Sequence, residues 1–258
     1  MSPVEEMYSK FNVLYDNSMS SAVGHLDEFE ASYYLTKGQD EVLKNHINPA
    51  GNKYRQGLDD SSKRQLEFSN LIKTEYAMPR SGDAAIRINP NSLLFTLPEN
   101  IFSILVESIE LWKEEEGEQV YVDSRQVVPI SHDEYARMMK RPFHEPKKRQ
   151  AWKLLSGEPN KNPLVELITT TADSKYNVLY KVQYVRMPRP IIVANLTEAV
   201  GEGVTLGGLT GPCECELDKI VHEEIIQRAV ELAKAAYGSD TNGQLQMQNQ
   251  ITVGQRSE

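Results

Sequence analysis

The hydrophobic period changes twice along this chain, and that change constrains the fold more than any single motif. Over roughly the first third, apolar residues recur at three-to-four spacing, as in helices that bury one stripe. In the middle, short apolar runs rich in β-branched residues take over. From Leu217 to Tyr237 the three-to-four spacing returns. Helices, then strands, then a helix make an α+β chain. The expected architecture is an N-terminal helical bundle, central antiparallel β hairpins, a long C-terminal helix and an extended C-terminal arm. The expected divisions are a helical region over 1–80 and a β-rich region over 81–212 with a short inserted helix. A C-terminal helix over 213–238, packing on the helical region, and an arm over 239–258 complete them.

Local signals place the elements. Met7, Phe11, Leu14 and Tyr15 share one side of a first helix that ends near Asp16, and the small polar residues 17–24 read as a loop. Asp27 can cap a second helix, with Glu28 and Glu30 in the first turn, where the helix dipole favours acids. Its expected stripe is Phe29, Tyr33, Thr36, Asp40, Leu43 and Ile47, and Pro49 to Asn52 end it. A third short helix starts at Ser61 or Ser62, with Gln65 as in a capping box, and carries Leu66, Ser69 and Ile72.

In the middle, Phe102–Trp112 and Val120–Ile130 flank the charged turn Lys113–Glu118 and read as a hairpin. Ser131 caps a short helix over His132–Lys140. A second hairpin is expected from Leu164–Thr170 and Asn177–Tyr184, joined at Ala172–Lys175. Pro188 and Pro190 bracket Ile191–Val193, which suits a sheet edge. The C-terminal helix carries Leu217, Val221, Ile225, Ala229, Leu232 and Ala236 along its stripe.

A chain of 258 residues suits one large or two small domains. No run approaches the roughly 18 apolar residues that span a bilayer. The N-terminus has no basic segment followed by an apolar one, so no secretory signal is read. A net charge of -9 argues against a general nucleic-acid binder. Cys213 and Cys215 are too close in sequence for an unstrained disulfide, and two thiols do not complete a zinc site. They read as reduced structural cysteines.

The candidate chemistries fail on spacing. His222-Glu223 opens like a zinc-protease helix, but the second histidine position holds Ile226. Gly201-Glu202-Gly203 opens like a dinucleotide loop, but the third glycine position holds Leu206. The stretch Gly201–Gly211 therefore reads as a mobile loop that its glycines let extend towards a neighbour. The basic cluster Lys140, Arg141, Lys147, Lys148, Arg149 and Lys153, interleaved with Phe143 and Trp152, could meet phosphates. Its simpler reading is a solvated or subunit-bridging face that meets acids such as Glu114–Glu116. His132, His144 and Glu145 are the nearest approach to an acid–base set, and no serine sits in a nucleophile elbow. No catalytic residue, metal or cofactor is assigned, and the chain is not expected to be an enzyme.

The C-terminal segment reads differently. Leu245, Met247, Ile251 and Val253 recur at even spacing among glutamines, after a helix that stops at Gly238. Plain disorder is one reading of such a polar terminus. The other is a partner-binding strand, added to another protein's sheet edge on assembly.

Three stretches together, Glu6–Asn17, Leu26–Glu30 with Tyr34–Glu41, and Ser61–Gln65, resemble a structural protein of the crAss-like phages. Arg189–Ile192 and the helix His222–Ala236 fit the same likeness. The resemblance implies a virion ring protein of the neck and tail barrel, nearest the portal, similar in plan to head-to-tail adaptors. It implies a ring of copies of itself, usually twelvefold. It further implies contacts with the portal protein and other ring proteins, and a place along the DNA ejection channel with only passive contact to DNA. The implied localisation is the virion, after synthesis in the bacterial host cytoplasm, with no membrane contact. Another neck component, such as a head-completion protein or a more distal ring, is the alternative. A virion-packaged hydrolase is a further one.

Overall fold

A computed structural model describes residues 2–16, 26–47, 58, 62–80, 92–140, 146–147, 149–157, 162–170, 175–201 and 203–237. The chain forms two compact units. One combines Met1–Leu71 with Pro188–Glu258, and the other is Ile72–Met187. These boundaries differ from the sequential divisions at 80 and 212. The first strand begins within the expected helical region, and residues 188–212 belong with the helices.

The helical unit is built on α1 (Pro3–Asp16), α2 (Glu28–Ile47) and α6 (Lys219–Tyr237), with the single turn α5 (Leu196–Ala199) before α6, and α6 packs against both α1 and α2. Two capping boxes fix where α1 and α2 begin. Glu5 N–H donates to Ser2 Oγ and Ser2 N–H to Glu5 Oε2, with Pro3 in the first helical position. Glu30 N–H donates to Asp27 Oδ1 at 2.7 Å and Asp27 N–H to Glu30 Oε2 at 3.2 Å. In α1 the buried stripe is Val4, Met7, Phe11 and Tyr15, with Phe11 and Tyr15 stacked.

The buried faces of α2 and α6 differ from the expected stripes. In α2 they are Ala31, Ser32, Leu35, Gly38, Gln39, Val42 and Leu43, while Tyr33 is exposed. The reason is close approach. A Cβ at Gly38 would lie 2.8 Å from the Ile225 carbonyl oxygen and 3.2 Å from Ala229 Cβ. Small residues make this crossing, and they leave no large-hydrophobe pattern to read. In α6 the stripe drifts to Ile226, Val230 and Ala233. A row spaced by four runs off a helix face that repeats every 3.6 residues.

The short α3 (Ser62–Glu67) turns inward Arg64 and Glu67, with Phe68 just beyond its end, while Leu66 is 71% exposed. It stops early in a 3-10 turn at Ser69–Leu71, which re-aims the chain.

The sheet unit holds β1 (Ile72–Ala77), β2 (Leu93–Thr96), β3 (Ile101–Glu115), β4 (Glu118–Pro129), β5 (Gln150–Ser156), β6 (Leu164–Ile168) and β7 (Asn177–Arg186). Its order is β1-β7-β3-β4-β5-β6-β2. The expected β3–β4 hairpin is present, and its turn is Glu116–Gly117 with φ 54° and 85°. Two positive φ values give the turn whose twist matches the flanking strands. The expected second hairpin is not formed: β6 pairs with β5 and β2, and β7 pairs with β3 and β1. All five β6 residues are buried, so β6 needs a partner on each side rather than one local neighbour.

The one parallel pair among the described residues, β4 with β5, has α4 (His132–Met138) in its connection. Ser131 caps α4 as expected, accepting from Glu134 N–H. Tyr135 of α4 packs with Trp152, Leu154 and Ile168 on one side of the sheet. The other side carries the main core, including Phe95, Ile109, Leu111, Leu167, Tyr180 and Tyr184. Phe95 on β2 reaches Tyr180 on β7 with ring centroids 5.3 Å apart, although five places separate their strands. The sheet therefore curls around its core towards a barrel.

Candidate functional site

In the helical unit, an extended segment is held by a helix side rather than by a strand. Ser32, Thr36 and Gln39 form a polar row on α2. Thr36 Oγ1 accepts from Ile191 N–H at 3.0 Å and donates to the Ile191 carbonyl at 3.2 Å. Val193 N–H donates to Ser32 Oγ, and Gln39 Nε2 donates to the Arg189 carbonyl. The match is geometric: two strand residues rise about 6.6 Å and four helix residues about 6 Å. On its other side Ile192 exchanges both backbone bonds with Cys213. Ile191–Val193 is thus extended, as expected, but it is not a sheet edge. The usable sequence signal was three polar residues at helical spacing, which an apolar template passes over.

Cys215 donates to Gln39 Oε1, and burial pushes its thiol up to about 12. It is a protonated structural thiol, and both cysteines are free. His222 is half-buried and bonds the Leu217 carbonyl. The glycine-rich stretch folds back locally: Leu206 and Leu209 exchange backbone bonds across Gly207 and Gly208, whose φ values are 56° and 80°. Its tip is an ordered, solvent-exposed turn.

In the sheet unit, the structure takes the basic cluster apart. Trp152 is buried, and Lys153 turns into the core to bond Glu107 Oε1 at 2.5 Å. Tyr180 donates to the same carboxylate, and burial followed by that bond pushes its phenol far up. Three strands thus share one neutralised polar knot inside an apolar core. Lys140, Lys147 and Arg149 stay exposed, while Arg141, Phe143, His144, Glu145 and Lys148 lie outside the described residues. His132 bonds the Leu155 carbonyl. Among the described residues no three His, Cys, Asp or Glu side chains gather as a metal site, and no helix is long and apolar enough to cross a membrane.

The longest run of consecutive exposed large apolar residues among the described ones lies on the outer half of β4. Val120, Tyr121 and Val122 are 42%, 51% and 41% exposed. β4 pairs with β5 only over Gln126–Pro129, so Glu118–Arg125 has β3 on one side and no strand on the other among the described residues. The register slips between Leu111 and Trp112, which leaves Val122 as the extra residue of a bulge. Tyr121 meets Trp112 edge-on at 5.6 Å. Leu245, Met247, Ile251 and Val253, the expected partner-binding residues, lie outside the described residues.

The comparisons with known proteins concern nearly the whole chain. Residues 2–245 match the family model described as phage tail ring protein 3/4. The chain is 42% identical over 255 residues to a "Ring protein 4/5" of Bacteroides phage crAss001, covering 99% of each. It is 30% identical over 209 residues to "Ring protein 3" of the same phage, covering 81% of this chain and 84% of that one.

Proposed function

The chain belongs to the phage tail ring protein 3/4 family of crAss-like phages and is a structural ring protein of the virion; on that premise we propose that it closes with copies of itself into one ring of the neck and tail barrel. The observation that carries this reading is the similarity to a named ring protein from end to end of both chains. The ring joins the portal to the tail, touches other ring proteins above or below it, and surrounds part of the DNA ejection channel. On the pattern of head-to-tail adaptors, it is twelvefold.

Two physical features support this. Rings need head-to-tail contacts in which one surface of a subunit meets a different surface of the next. Exposed strand edges and terminal segments supply such contacts. The net charge of -9 also suits a channel wall that repels DNA rather than holding it.

Electron microscopy of the intact neck tests the reading: a closed ring of this chain between portal and distal tail is expected, and its absence there overturns it. Removing Asn242–Glu258 tests the arm. We expect a folded subunit that joins its neighbours poorly, and normal assembly would remove the arm from the account.

A further inference from the structure

The exposed half of β4 has the features of a strand-accepting edge, and the proposal below rests on the ring reading. Its outer backbone groups face no strand among the described residues, and three consecutive apolar side chains are exposed along it. Proteins guard such edges with bulges and charge, because an open edge templates pairing with another chain. Here the bulge sits at Val122 and the charge is concentrated at the tip, in Glu114, Glu115, Glu116 and Glu118. The stretch between remains apolar.

The chain also carries a segment that matches this edge. Residues 245–253 place Leu245, Met247, Ile251 and Val253 on one face, with Asn249 between the two pairs, and they have about the length of Glu118–Arg125, roughly 26 Å when extended. Charge selects the direction. Antiparallel to β4, the segment runs from the base of the hairpin to its tip. Arg256 then arrives at the acidic tip with Glu258 two residues beyond it, so that end brings no net charge, and Asp240 begins near the exposed Lys147 and Arg149. The parallel direction would bring Asp240 to the glutamates. A subunit that carries both a donor segment and an acceptor edge meets the condition for head-to-tail closure.

We propose that residues 245–253 of one subunit add, antiparallel, to the outer β4 edge over Glu118–Ser124 of a second copy of this chain, stapling neighbours around the ring. The main-chain bonds supply affinity, and Val120 to Val122 with Leu245, Met247, Ile251 and Val253 supply register.

Cysteine trapping on the full chain tests this. In a Cys213→Ser background, Val120→Cys is one population, and a second, isotopically labelled population carries single cysteines scanned across 245–253. Mixing and oxidation should yield dimers containing one chain of each kind, with yield alternating along the scan. Electron microscopy of the same samples reads ring formation separately. Rings without cross-links overturn the pairing and leave the ring standing. Neither rings nor cross-links overturns both, and a cross-link inside one chain replaces the neighbour with self-pairing.

A second variant guards against a misfolded hairpin. After a two-residue turn the pair Glu115–Glu118 is hydrogen-bonded, so the N–H of Gln119 points outward. Gln119→Pro removes that outward donor without cutting the β3 ladder. The cross-link yield should fall on the order of tenfold, while the near-ultraviolet signal of the Trp112–Tyr121 pair persists. An unchanged yield with that signal intact overturns the proposal.

Discussion

The two units satisfy their buried polar groups in opposite ways. In the helical unit, side chains serve backbone: Ser32, Thr36 and Gln39 take the place of a strand beside Arg189–Val193. In the sheet unit, ladders serve backbone, and the buried polar side chains serve one another, as Glu107, Lys153 and Tyr180 do. The difference teaches where each unit is finished and where it is open. The extended segment of the helical unit is closed on both sides, by α2 and by Cys213. In the sheet unit the outer half of β4 has no strand on its second side among the described residues.

The largest effect should come from breaking the knot of the sheet unit. Glu107→Leu leaves Lys153 buried without its carboxylate and should cost about 3–5 kcal/mol in denaturant unfolding. Adding Lys153→Met should recover most of that loss. If the double variant is no better than the single, the carboxylate has some other task.

On the helical side, Gly38→Leu drives a side chain into the Ile225 carbonyl and Ala229, and should cost about 3 kcal/mol. Hydrogen exchange should show the loss in α2 and α6, with the sheet unit unaffected. Thr36→Val deprives Ile191 N–H of its acceptor and should cost about 2 kcal/mol, with exchange rising at Ile191 and Val193. Equal protection in both proteins would mean that the helix does not act as a strand. Asp27→Ala should cost about 1 kcal/mol and fray only the first turn of α2.

The smallest effect concerns acid. The bond from His46 holds the Glu224 carboxyl below its ordinary 4.5. A lowered carboxylate stabilises the fold above its unfolded value, and that contribution is lost as pH falls through the folded one. Glu224→Gln should therefore lower stability slightly at pH 7, with the difference from the parent closing as pH falls below about 4.5.

The helices were legible because their causes are local. Caps at Asp27 and Ser131 and acids in the first turns lie within four residues of the bonds they make. Their buried faces were less legible, since Gly38, Ala229 and Ala233 carry almost no hydrophobic signal and yet define the crossing. Strands were found where β-branched residues cluster, but partners were found only where a two-residue turn set them, as at Glu116–Gly117. β6 and β7 are adjacent in sequence and not in the sheet. Lys153 looked like part of a basic surface because only tertiary structure brings Glu107 to it. The exposed edge was not legible, because it is defined by where β4 pairs with β3 and β5 and where it does not.

The sheet unit is an insertion whose ends meet: Ile72, where it begins, pairs with Val185, close to where it leaves. Two consequences follow. Such a cassette can be exchanged among related phages without opening the helical unit, because its entry and exit lie on neighbouring strands. The order of events during synthesis is also inverted. α1 and α2 leave the ribosome first, yet the helix that both pack against is made after the whole cassette. The inserted unit can fold as soon as it emerges, while the earliest-made helices wait for α6.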